Sequence, residues 1–495
     1  MQQLDFWIAK RARQMPNKTA LIQIETGERW TYKQLMQQAS WWSTTFHQRK
    51  FQKGDRIAVL MENSIQSFAI LFACRINELI YVPLNTKLSE AELAYVLADC
   101  APKLLICDEV QEDRAKALMP QHFLNVSQAQ AMEIIRYHWQ DEPKLPWLII
   151  YTGGTTGKAK GVVLSYEAVT ANALNTIISW GLNEQDCTLN YMPLFHTGGI
   201  NALALPILLA GGTVVIGKKF NPNVAIRALD EYKTTISLFV PTMYQLMTET
   251  DYFHQSSFPT VKVFLSGGAP CPKPIYEQFK SRGLLFKEGY GLTEAGPNNF
   301  VIDANVAMMK KGAIGKSMLF NEVQVLNECG EHCQQDEVGE LCLKGSHVFL
   351  NYWNNEEETK KVFQDGWLRT GDLAKYDEDG DYYIVGRKKE MIITGGENVY
   401  SQEVEQCLIA VSGVEEVSVI GVADEKWGEC IAAFIVSKQP SVILEQKLRQ
   451  ICKDRLANYK VPKQFYFLSE LPKTVVGKID KKLLAQYAKA QVHMD

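Results

Sequence analysis

The residue types best suited to chemistry are concentrated in residues 151–161, a loop of glycine, threonine and lysine with the sequence YTGGTTGKAKG. Apolar runs at 147–150 and 162–164 flank this loop and predict two strands joined by a tight turn. Its four glycines allow the backbone to point N–H groups inward, while threonine hydroxyls and lysine ammonium groups add further donors. This combination predicts a site for a polyphosphate.

The loop differs from the Walker A phosphate loop. That motif requires a glycine five residues before its Gly-Lys pair and a serine or threonine after it, where this chain has Thr152 and Ala159. Because a loop of this composition is by itself more often a plain turn than a nucleotide site, the interpretation depends on the motifs that follow.

Three later motifs and one isolated arginine supply candidate groups for binding a nucleotide. In the segment GYGLTE, Tyr290 could stack on a flat ring and Glu294 could hold a hard divalent cation against phosphate oxygens. Asp372, at the end of DGWLRTGD, could bind a ribose diol with both oxygens, and Arg387 could reach the same sugar or a phosphate. Lys478, in PKTVVGKID, could carry positive charge to a reacting phosphate on a mobile lid.

Two further segments could line a cleft. PLFHTGG places His196 beside an aromatic residue and before two glycines, and SGGAP at 266–270 could let a flat ring approach the backbone. Each also has a structural explanation, because a lone histidine is usually a surface or packing residue and a glycine pair is often only a turn. The lysines and arginines of 447–489 are most simply a solvated basic face.

Strand and helix patterns alternate along most of the chain. Periodic stretches such as 224–232 and 276–281 predict helices, and short apolar runs between them predict further strands at 20–24, 56–61, 79–84, 103–107, 188–192, 213–216, 236–240 and 261–265. From about residue 315 to 385, short alternating runs separated by turns predict a β-rich subdomain. The charged segment GRKKE at 386–390 is the predicted hinge.

The predicted fold class is therefore α/β. A large N-terminal domain of two wound α/β layers plus the β-rich subdomain is followed by a small, mobile α+β C-terminal domain. A chain of 495 residues is long enough for such a division.

Composition excludes several classes of protein. With 46% apolar and 22% charged residues and a formal net charge of −4, the chain lacks the basic excess of a nucleic-acid binder. The N-terminus has no apolar signal core, and the longest apolar stretch, near 201–210, is interrupted by Pro206, so no membrane span is predicted. Eleven scattered cysteines without a CxxC motif predict reduced thiols and a cytoplasmic location, and Cys329, His332 and Cys333 are interpreted as loop residues, not metal ligands.

Taken together and in this order, the motifs resemble those of the adenylate-forming superfamily, which contains acyl-CoA synthetases, luciferases and nonribosomal adenylation domains. The resemblance covers essentially the whole chain. It implies an AMP-binding domain at 1–386, a C-terminal lid at 387–495 that pivots at Lys389, and the use of ATP, Mg²⁺ and coenzyme A. Homodimers are common among relatives, and no residue of the sequence marks an interface.

The resemblance also assigns residues by matched motif. The phosphate loop departs from the family at Gly153, where serine is usual, and at Ala159, where proline is usual. The implied site residues are Thr152, Thr155, Thr156, Gly157 and Lys160 for phosphate; Gly268, Ala269, Pro270, Glu288 and Tyr290 for adenine; Thr293 and Glu294 for the α-phosphate and magnesium; Asp372 and Arg387 for ribose; Lys478 for adenylation; Gly395, Gly396 and Glu397 for the thiol acceptor; and His196 for a gate beside the acyl pocket.

These assignments imply an ATP-dependent ligase that forms an acyl-adenylate and then an acyl-CoA thioester. The PLFHTGG and GYGLTEAG segments favour a medium- or long-chain fatty acid as substrate, with o-succinylbenzoate or another aryl acid as the alternative. Other hypotheses are an enzyme that loads a carrier protein, a stand-alone acyl-AMP ligase and an inactive AMP-binding relative.

Overall fold

The computed structural model describes residues 6–128, 142–153, 159–424, 426–474 and 479–492. Their strands form four sheets, numbered 1 to 4 in the following paragraphs. The α-helices are Trp7–Gln14, Tyr32–Gln48, Ile65–Ile76, Glu90–Cys100, Glu112–Leu118, Tyr166–Trp180, Thr197–Ile200, Ala204–Ala210, Pro222–Glu231, Pro241–Thr248, Asp251–Gln255, Lys273–Ser281, Ala304–Met309, Glu356–Val362, Ser401–Ile409, Val442–Arg455 and Lys481–Val492.

Sheet 1 is a wound sheet of seven strands. Five neighbouring pairs are parallel, and only the edge strand Arg29–Thr31 is antiparallel. The sequence predicts five of these strands to within two residues. Their spatial order is Phe286–Glu288, Val263–Ser266, Ile236–Phe239, Cys187–Asn190, Thr213–Ile216, Thr19–Gln23 and Arg29–Thr31.

Sheet 2 is the second wound sheet and carries the predicted strand–loop–strand unit. Pro146–Thr152 and Lys160–Ser165 pair in antiparallel fashion, with Thr152 opposite Lys160, which confirms the two predicted strands. The remaining pairs are parallel except at the Asn351–Tyr352 edge. The order is Asn351–Tyr352, Lys160–Ser165, Pro146–Thr152, Ile80–Pro83, Arg56–Leu60, Leu104–Cys107 and Phe123–Asn125.

One buried apolar cluster joins the two wound sheets. It contains Leu265 of sheet 1, Ile150 of sheet 2 and much of the helices Ile65–Ile76 and Tyr166–Trp180. Nine of the fifteen residues in the second of these helices are buried, several of them polar. Helix Tyr166–Trp180 is therefore an internal support between the layers, and polar side chains on it must find partners inside the protein.

Sheet 3 is antiparallel and corresponds to the predicted β-rich subdomain. It extends further than the predicted limits of 315 and 385, because Phe300–Val301 and Ala313–Ser317 join at one end and Tyr382–Arg387 continues at the other. The order is Phe300–Val301, Ala313–Ser317, Tyr382–Arg387, Trp367–Tyr376, Gly339–Lys344 and Glu322–Leu326, with Phe363–Gln364 pairing to Trp367–Tyr376.

A lysine lies at the centre of an acidic turn in sheet 3. The Lys310 Nζ atom is 2.8 Å from a carboxylate oxygen of Asp377, 2.6 Å from one of Asp379 and 2.7 Å from one of Asp381. One oxygen from each of these carboxylates lies within 4.8 Å of the others, a spacing that could hold a metal ion. The three carboxylates raise the pKa of Lys310 above its usual range. The Lys310 ammonium group thus occupies the position in which a metal ion could otherwise bind.

Sheet 4 and three helices form the α+β C-terminal region that the sequence predicts. Gly428–Val436 pairs in antiparallel fashion with Glu416–Asp424 and in parallel fashion with Gln464–Leu468. The remaining strands, Ile392–Thr394 and Glu397–Val399, form a hairpin at the edge of this sheet.

Two predictions from the sequence concern membrane spans and the state of the cysteines. No described helix has both the length and the apolar character needed to cross a membrane. All eleven cysteines lie in described segments and are free thiols, with Cys329 exposed and Cys333 buried.

Candidate active site

The carboxyl ends of neighbouring strands in sheet 1 bring two predicted motifs together. Gly268 follows Val263–Ser266, and Tyr290 follows the parallel neighbour Phe286–Glu288. The amide of Gly289 donates to the last carbonyl of Val263–Ser266 at 2.8 Å, which connects the two turns. Ligands of open α/β sheets bind at such carboxyl ends.

The predicted adenine-side turn is open to a ligand. Gly268, Ala269 and Pro270 are all exposed, and Gly268 has φ +82°, a conformation that favours glycine. A flat ring could therefore lie against this backbone, as the sequence predicts.

Glu288 lies buried behind the same turn. One carboxylate oxygen accepts a hydrogen bond from the amide of Cys271 at 2.9 Å, and the other accepts one from the hydroxyl of Tyr276 at 2.8 Å. Burial raises the pKa of Glu288 to about 7, although these two hydrogen bonds oppose the shift. Both described contacts are internal, so the carboxylate fastens the turn to helix Lys273–Ser281, whereas the family resemblance predicts an adenine contact.

We expect Glu288→Gln to flatten the pH dependence of stability. The folded-state pKa of about 7 lies above the reference value of 4.5, so the contribution of this group to stability is complete below pH 4.5 and is lost as the pH rises through about 7. This carboxyl group alone lowers the free energy of unfolding by about 3 kcal/mol above pH 7. Glutamine keeps both hydrogen bonds, because the Tyr276 hydroxyl can turn to accept one.

Urea unfolding at pH 5 and pH 8 measures this effect. The control is Glu231→Gln, at an exposed glutamate of helix Pro222–Glu231. A Glu288→Gln variant with the same pH dependence as the unsubstituted protein would contradict the prediction.

Asp372, Arg387 and Tyr290 form one hydrogen-bonded group. Asp372 and Arg387 lie opposite one another on antiparallel strands of sheet 3. The Asp372 Oδ1 atom is 3.0 Å from Arg387 Nε, and Oδ2 accepts a hydrogen bond from the Tyr290 hydroxyl at 2.6 Å. The Asp372 side chain is 6% exposed and that of Arg387 is 46% exposed. A fixed carboxylate beside an accessible guanidinium suits a ribose diol.

Glu294 and Thr293 lie in the short turn that follows Tyr290. Glu294 Oε1 accepts a hydrogen bond from the Tyr352 hydroxyl at 2.8 Å, and its backbone carbonyl accepts one from the amide of Phe349 at 2.8 Å. Thr293 is buried, whereas Glu294 is partly exposed. A carboxylate in this position offers the hard oxygen ligand that Mg²⁺ prefers.

Lys160 lies close to this turn. Its Nζ atom is 5.3 Å from the centre of the Tyr352 ring and forms an ion pair with Glu358. The hydrogen bond from Lys160, with a second from Lys361, lowers the pKa of Glu358 to about 2. Strand Asn351–Tyr352 thus connects the phosphate-loop strand to the Glu294 turn, and Lys160 is held at their junction.

We expect Glu358→Gln to lower the KM for Mg·ATP by about two- to fivefold. If Lys160 contacts a phosphate, as the family resemblance implies, it must release or share this carboxylate, and the charge of Glu358 would also repel a nucleotide. Initial rates at varied ATP concentration measure the change. The matched control is Glu357→Gln, since Glu357 contacts Lys361 at 3.0 Å. An unchanged KM in Glu358→Gln would show that the ion pair does not compete with the nucleotide.

The predicted gate residue His196 caps a helix of four residues. Its Nδ1 accepts a hydrogen bond from the amide of Gly198 at 3.2 Å at the start of Thr197–Ile200. Gly199 packs directly against the carbonyl of Pro193, so any Cβ at this position would collide with the backbone. This described contact gives His196 a conformational role in residues 193–202, which we call the gate segment.

Buried asparagines connect the gate segment with the turn after Glu294. Asn172 Nδ2 donates to the carbonyl of Asn201 at 2.9 Å, and Asn298 Nδ2 donates to the carbonyl of Ala202 at 2.7 Å. Asn172 also packs on Gly296, where a Cβ would lie 2.6 Å from its Oδ1 atom. This Oδ1 is buried and has no hydrogen-bond partner among the described atoms. The buried layer between the gate segment and the turn after Glu294 therefore contains polar side chains, although the small cavity beside Gly198 has mainly apolar neighbours such as Met192 and Leu203.

The candidate residues of the C-terminal region lie on either side of Ile392–Thr394. Lys389 lies in the short turn before this strand, where burial and, to a lesser extent, Arg387 lower its pKa. Gly395 and Gly396 form the turn after it with φ +60° and +85°, and a Cβ at Gly395 would lie 2.9 Å from the Trp427 ring. Glu397 is exposed. Four predicted residues lie outside the described segments: Thr155, Thr156, Gly157 and Lys478.

Sequence reasoning missed four side chains of this site. Tyr352 and Glu358 belong to NYWNNEEET, which lies inside the predicted β-rich subdomain but pairs with sheet 2 through a strand of two residues. Asn172 lies in no motif, and Asn298 lies just after GYGLTEAG in the segment PNNF but was assigned no role. For Asn172, the sequence did contain a signal: polar residues recur along the helix Tyr166–Trp180, in which nine residues are buried.

The donor groups fit a magnesium–nucleotide complex. Asp372 and Arg387 suit the sugar, Glu294 suits a divalent cation and Lys160 suits a phosphate. Residues 8–353 match the family model of AMP-binding enzymes, and residues 403–478 match that of the AMP-binding enzyme C-terminal domain. The chain therefore belongs to the AMP-binding, adenylate-forming enzyme family.

Curated relatives narrow the class of reaction. The feruloyl-CoA synthase of Amycolatopsis sp is 35% identical over 97% of this chain and 98% of its own length. The long-chain-fatty-acid–CoA ligase FadD13 of Mycobacterium tuberculosis is 32% identical over 99% of this chain and 100% of its own. The protein is accordingly an AMP-forming acid–CoA ligase that uses ATP, Mg²⁺ and CoA.

Two solved structures of one relative bear on the arrangement of the domains. The o-succinylbenzoate CoA synthetase (MenE) of Bacillus subtilis, in complex with its acyl-adenylate intermediate, aligns with a TM-score of 0.88 at 30% identity and covers 97% of both chains. A double mutant of the same enzyme bound to a product analogue aligns with a TM-score of 0.73 over 97% of this chain and 98% of its own. By TM-score, the present structure is more similar to the adenylate complex.

Proposed function

We propose that this ligase activates an aryl acid or another compact acid with polar substituents. The observation that carries this proposal is the buried Asn172 Oδ1 atom beside the gate segment, an acceptor with no hydrogen-bond partner among the described atoms, whereas the amide donors of Asn172 and Asn298 are paired with the carbonyls of Asn201 and Ala202. A buried acceptor without a partner disfavours an alkyl tail next to it, whereas a substrate that donates a hydrogen bond to it is selected over one that does not. The similarity to a feruloyl-CoA synthase supports the same choice.

The second candidate is the medium- or long-chain fatty acid that the sequence favours. Its support is the similarity to FadD13, at 32% identity over nearly the whole chain. The two candidates differ in the predicted dependence of rate on chain length, which a panel of acids measures directly.

In the proposed first half-reaction, the protein mainly aligns reactants and stabilises charge. Asp372, Arg387 and Tyr290 hold the ribose and adenine, while Lys160 neutralises phosphate charge. Magnesium bound at Glu294 would supply further positive charge at the phosphates. The substrate carboxylate attacks the α-phosphorus of ATP in line, pyrophosphate leaves, and an acyl-adenylate remains.

In the proposed second half-reaction, the lid at 387–495 rotates about Lys389. This rotation withdraws Lys478 and brings the turn at 395–397 to the site. CoA thiolate then attacks the acyl carbonyl, and AMP leaves as the carbonyl re-forms. The different TM-scores of the two complexes of one relative support a rearrangement of this kind.

Release of pyrophosphate and AMP by the purified protein tests these proposals. The panel runs from acetate to oleate and includes benzoate, 4-coumarate, ferulate and o-succinylbenzoate, each with and without CoA. We expect CoA-dependent turnover with the highest kcat/KM for an aryl acid. A best rate with an aliphatic acid would establish the second candidate instead.

The same assay addresses the remaining hypotheses. Pyrophosphate release that is indifferent to CoA would indicate a carrier-protein acceptor or a free adenylate as product. No release with any acid would favour an inactive relative, a hypothesis that the intact Glu294, Asp372, Arg387 and Lys478 argue against.

A further inference from the structure

Lys481 is a largely buried lysine of the C-terminal region. It begins the last helix, and its side chain is 25% exposed. Its Nζ atom lies 3.1 Å from Glu390 Oε2 and 3.3 Å from Glu405 Oε1. The ammonium group also donates to the hydroxyl of Ser401 at 3.0 Å. Three side chains from two other segments therefore converge on one cation.

An isolated lysine would be unfavourable in this position. The N-terminus of a helix carries partial positive charge, and burial removes the water that stabilises an ammonium group. Burial acts to lower the pKa of Lys481, but Glu405 and Glu390 more than offset it, so the pKa is raised above its usual value. The charge of Lys481 is thus stabilised by these two carboxylates.

The partners of Lys481 belong to segments with predicted catalytic roles. Glu390 directly follows Lys389, the predicted pivot. Ser401 and Glu405 lie on Ser401–Ile409, the helix that follows the hairpin with the predicted acceptor turn. The contacts of one ammonium group therefore join the pivot to the element behind the acceptor turn.

Lys481 is also three residues from Lys478 along the chain. The described residues on either side of 475–478 are paired with each other, since Lys473 and Ile479 form a β-bridge. The amide of Asp480 also donates to the carbonyl of Pro472 at 2.8 Å. The ends of the segment that carries Lys478 are thus fixed immediately before Lys481.

We propose that Lys481 is a positioning residue, which holds the pivot, the acceptor-turn helix and the start of the last helix together as one rigid unit. The inference rests on the proposed function, in which both half-reactions need the lid to move as a single body. Because Glu390, the helix Ser401–Ile409 and Lys481 all follow Lys389 in the chain, their contacts persist in either orientation of the lid. Lys481 therefore serves adenylation and thioester formation alike, without touching a substrate.

The first test is Lys481→Met, with both half-reactions measured separately. We expect adenylation and thioester formation from preformed acyl-adenylate each to slow by about tenfold, because a misplaced lid misaligns the reacting groups in both. The affinity for AMP should stay within about twofold of its original value, since the adenine-side turn, Tyr290 and Asp372 lie outside the lid and far along the chain from Lys481. Lys481→Arg should recover most of the rate. Lys489→Met, at an exposed lysine of the same helix, is the matched control.

A double-mutant cycle with Glu390→Gln tests the coupling. We expect the combined variant to be no slower than Lys481→Met alone, because either substitution breaks the same contact. Additive losses would overturn the proposal, as would rates within twofold of the original in Lys481→Met. If the rate falls only in proportion to the fraction of protein that still binds AMP, the lysine serves folding only, and the proposal is overturned.

Hydrogen exchange separates this inference from the proposed function. In Lys481→Met, amides of 390–394 and 481–484 should exchange faster, whereas those of sheet 1 should not change. This readout needs no substrate. Unchanged exchange in these segments would overturn the rigid unit even in an active ligase, and a silent pyrophosphate assay with faster exchange would reject only the function.

Discussion

Lys478→Ala should slow adenylation by about a thousandfold and leave the conversion of preformed acyl-adenylate to thioester nearly unchanged. A single preorganised charge that stabilises the transition state can be worth about 4 kcal/mol, which corresponds to this factor. The selectivity follows from the proposed rotation, since the lysine faces the phosphates only in the first half-reaction. ATP–pyrophosphate exchange measures the first step, and thioester formation from synthetic adenylate measures the second.

Lys473→Ala is the matched control for this substitution. Lys473 lies at the near end of the same segment, and its Nζ atom contacts Glu416 Oε1 at 2.8 Å. Its loss should leave both steps close to the original rates. If Lys478→Ala instead slowed both half-reactions equally, alternation of the lid would be wrong and the lysine would serve one fixed arrangement.

Glu294→Gln should reduce the rate of adenylation by about a hundredfold and raise the Mg²⁺ concentration that gives half-maximal rate. Glutamine has nearly the same shape and can still accept the hydrogen bond from Tyr352, so the charge is the main difference. A divalent cation at reacting phosphates contributes several kcal/mol of stabilisation, and a neutral ligand retains only part of it. Initial rates over a magnesium titration measure both quantities.

Tyr352→Phe distinguishes charge from geometry in this site. It removes the hydroxyl that donates to Glu294 Oε1 at 2.8 Å but leaves the carboxylate in place. We expect a loss of about tenfold, which is the lower end of what a hydrogen bond to a charged acceptor contributes. AMP binding without magnesium should be unaffected in both variants. A larger loss of adenylation rate in Tyr352→Phe than in Glu294→Gln would show that the tyrosine hydroxyl, and not the carboxylate charge, is the group that adenylation needs.

The long elements of the fold were predictable from sequence, and the very short ones were not. Strands such as Thr213–Ile216 are continuous apolar runs, which mark buried strands directly. Asn351–Tyr352 has only two residues, too few to show any alternation. The predicted helix 224–232 begins at Pro222 in the structure, because Asn221 caps it and proline suits the first turn.

The residues of the candidate site also divide into those that the sequence predicted and those that it did not. Asp372 and Arg387 were predicted from motifs, and their pairing across two strands places them together. The partners that fix such residues were not predicted, because Glu358 reaches Lys160 across 198 residues of sequence and carries no motif. Glu288 shows a further difficulty, since its type fits a ligand contact but its described hydrogen bonds are internal.

Lys310 gives the acidic turn of sheet 3 a built-in counterion. Three carboxylates at this spacing would otherwise repel one another or recruit calcium, and the local structure would then depend on the ionic composition of the surroundings. With the ammonium group supplied by the chain itself, this turn should keep its shape in the presence of a chelator such as EDTA. Inhibition by a chelator would then report the metal carried by the nucleotide and not damage to the acidic turn.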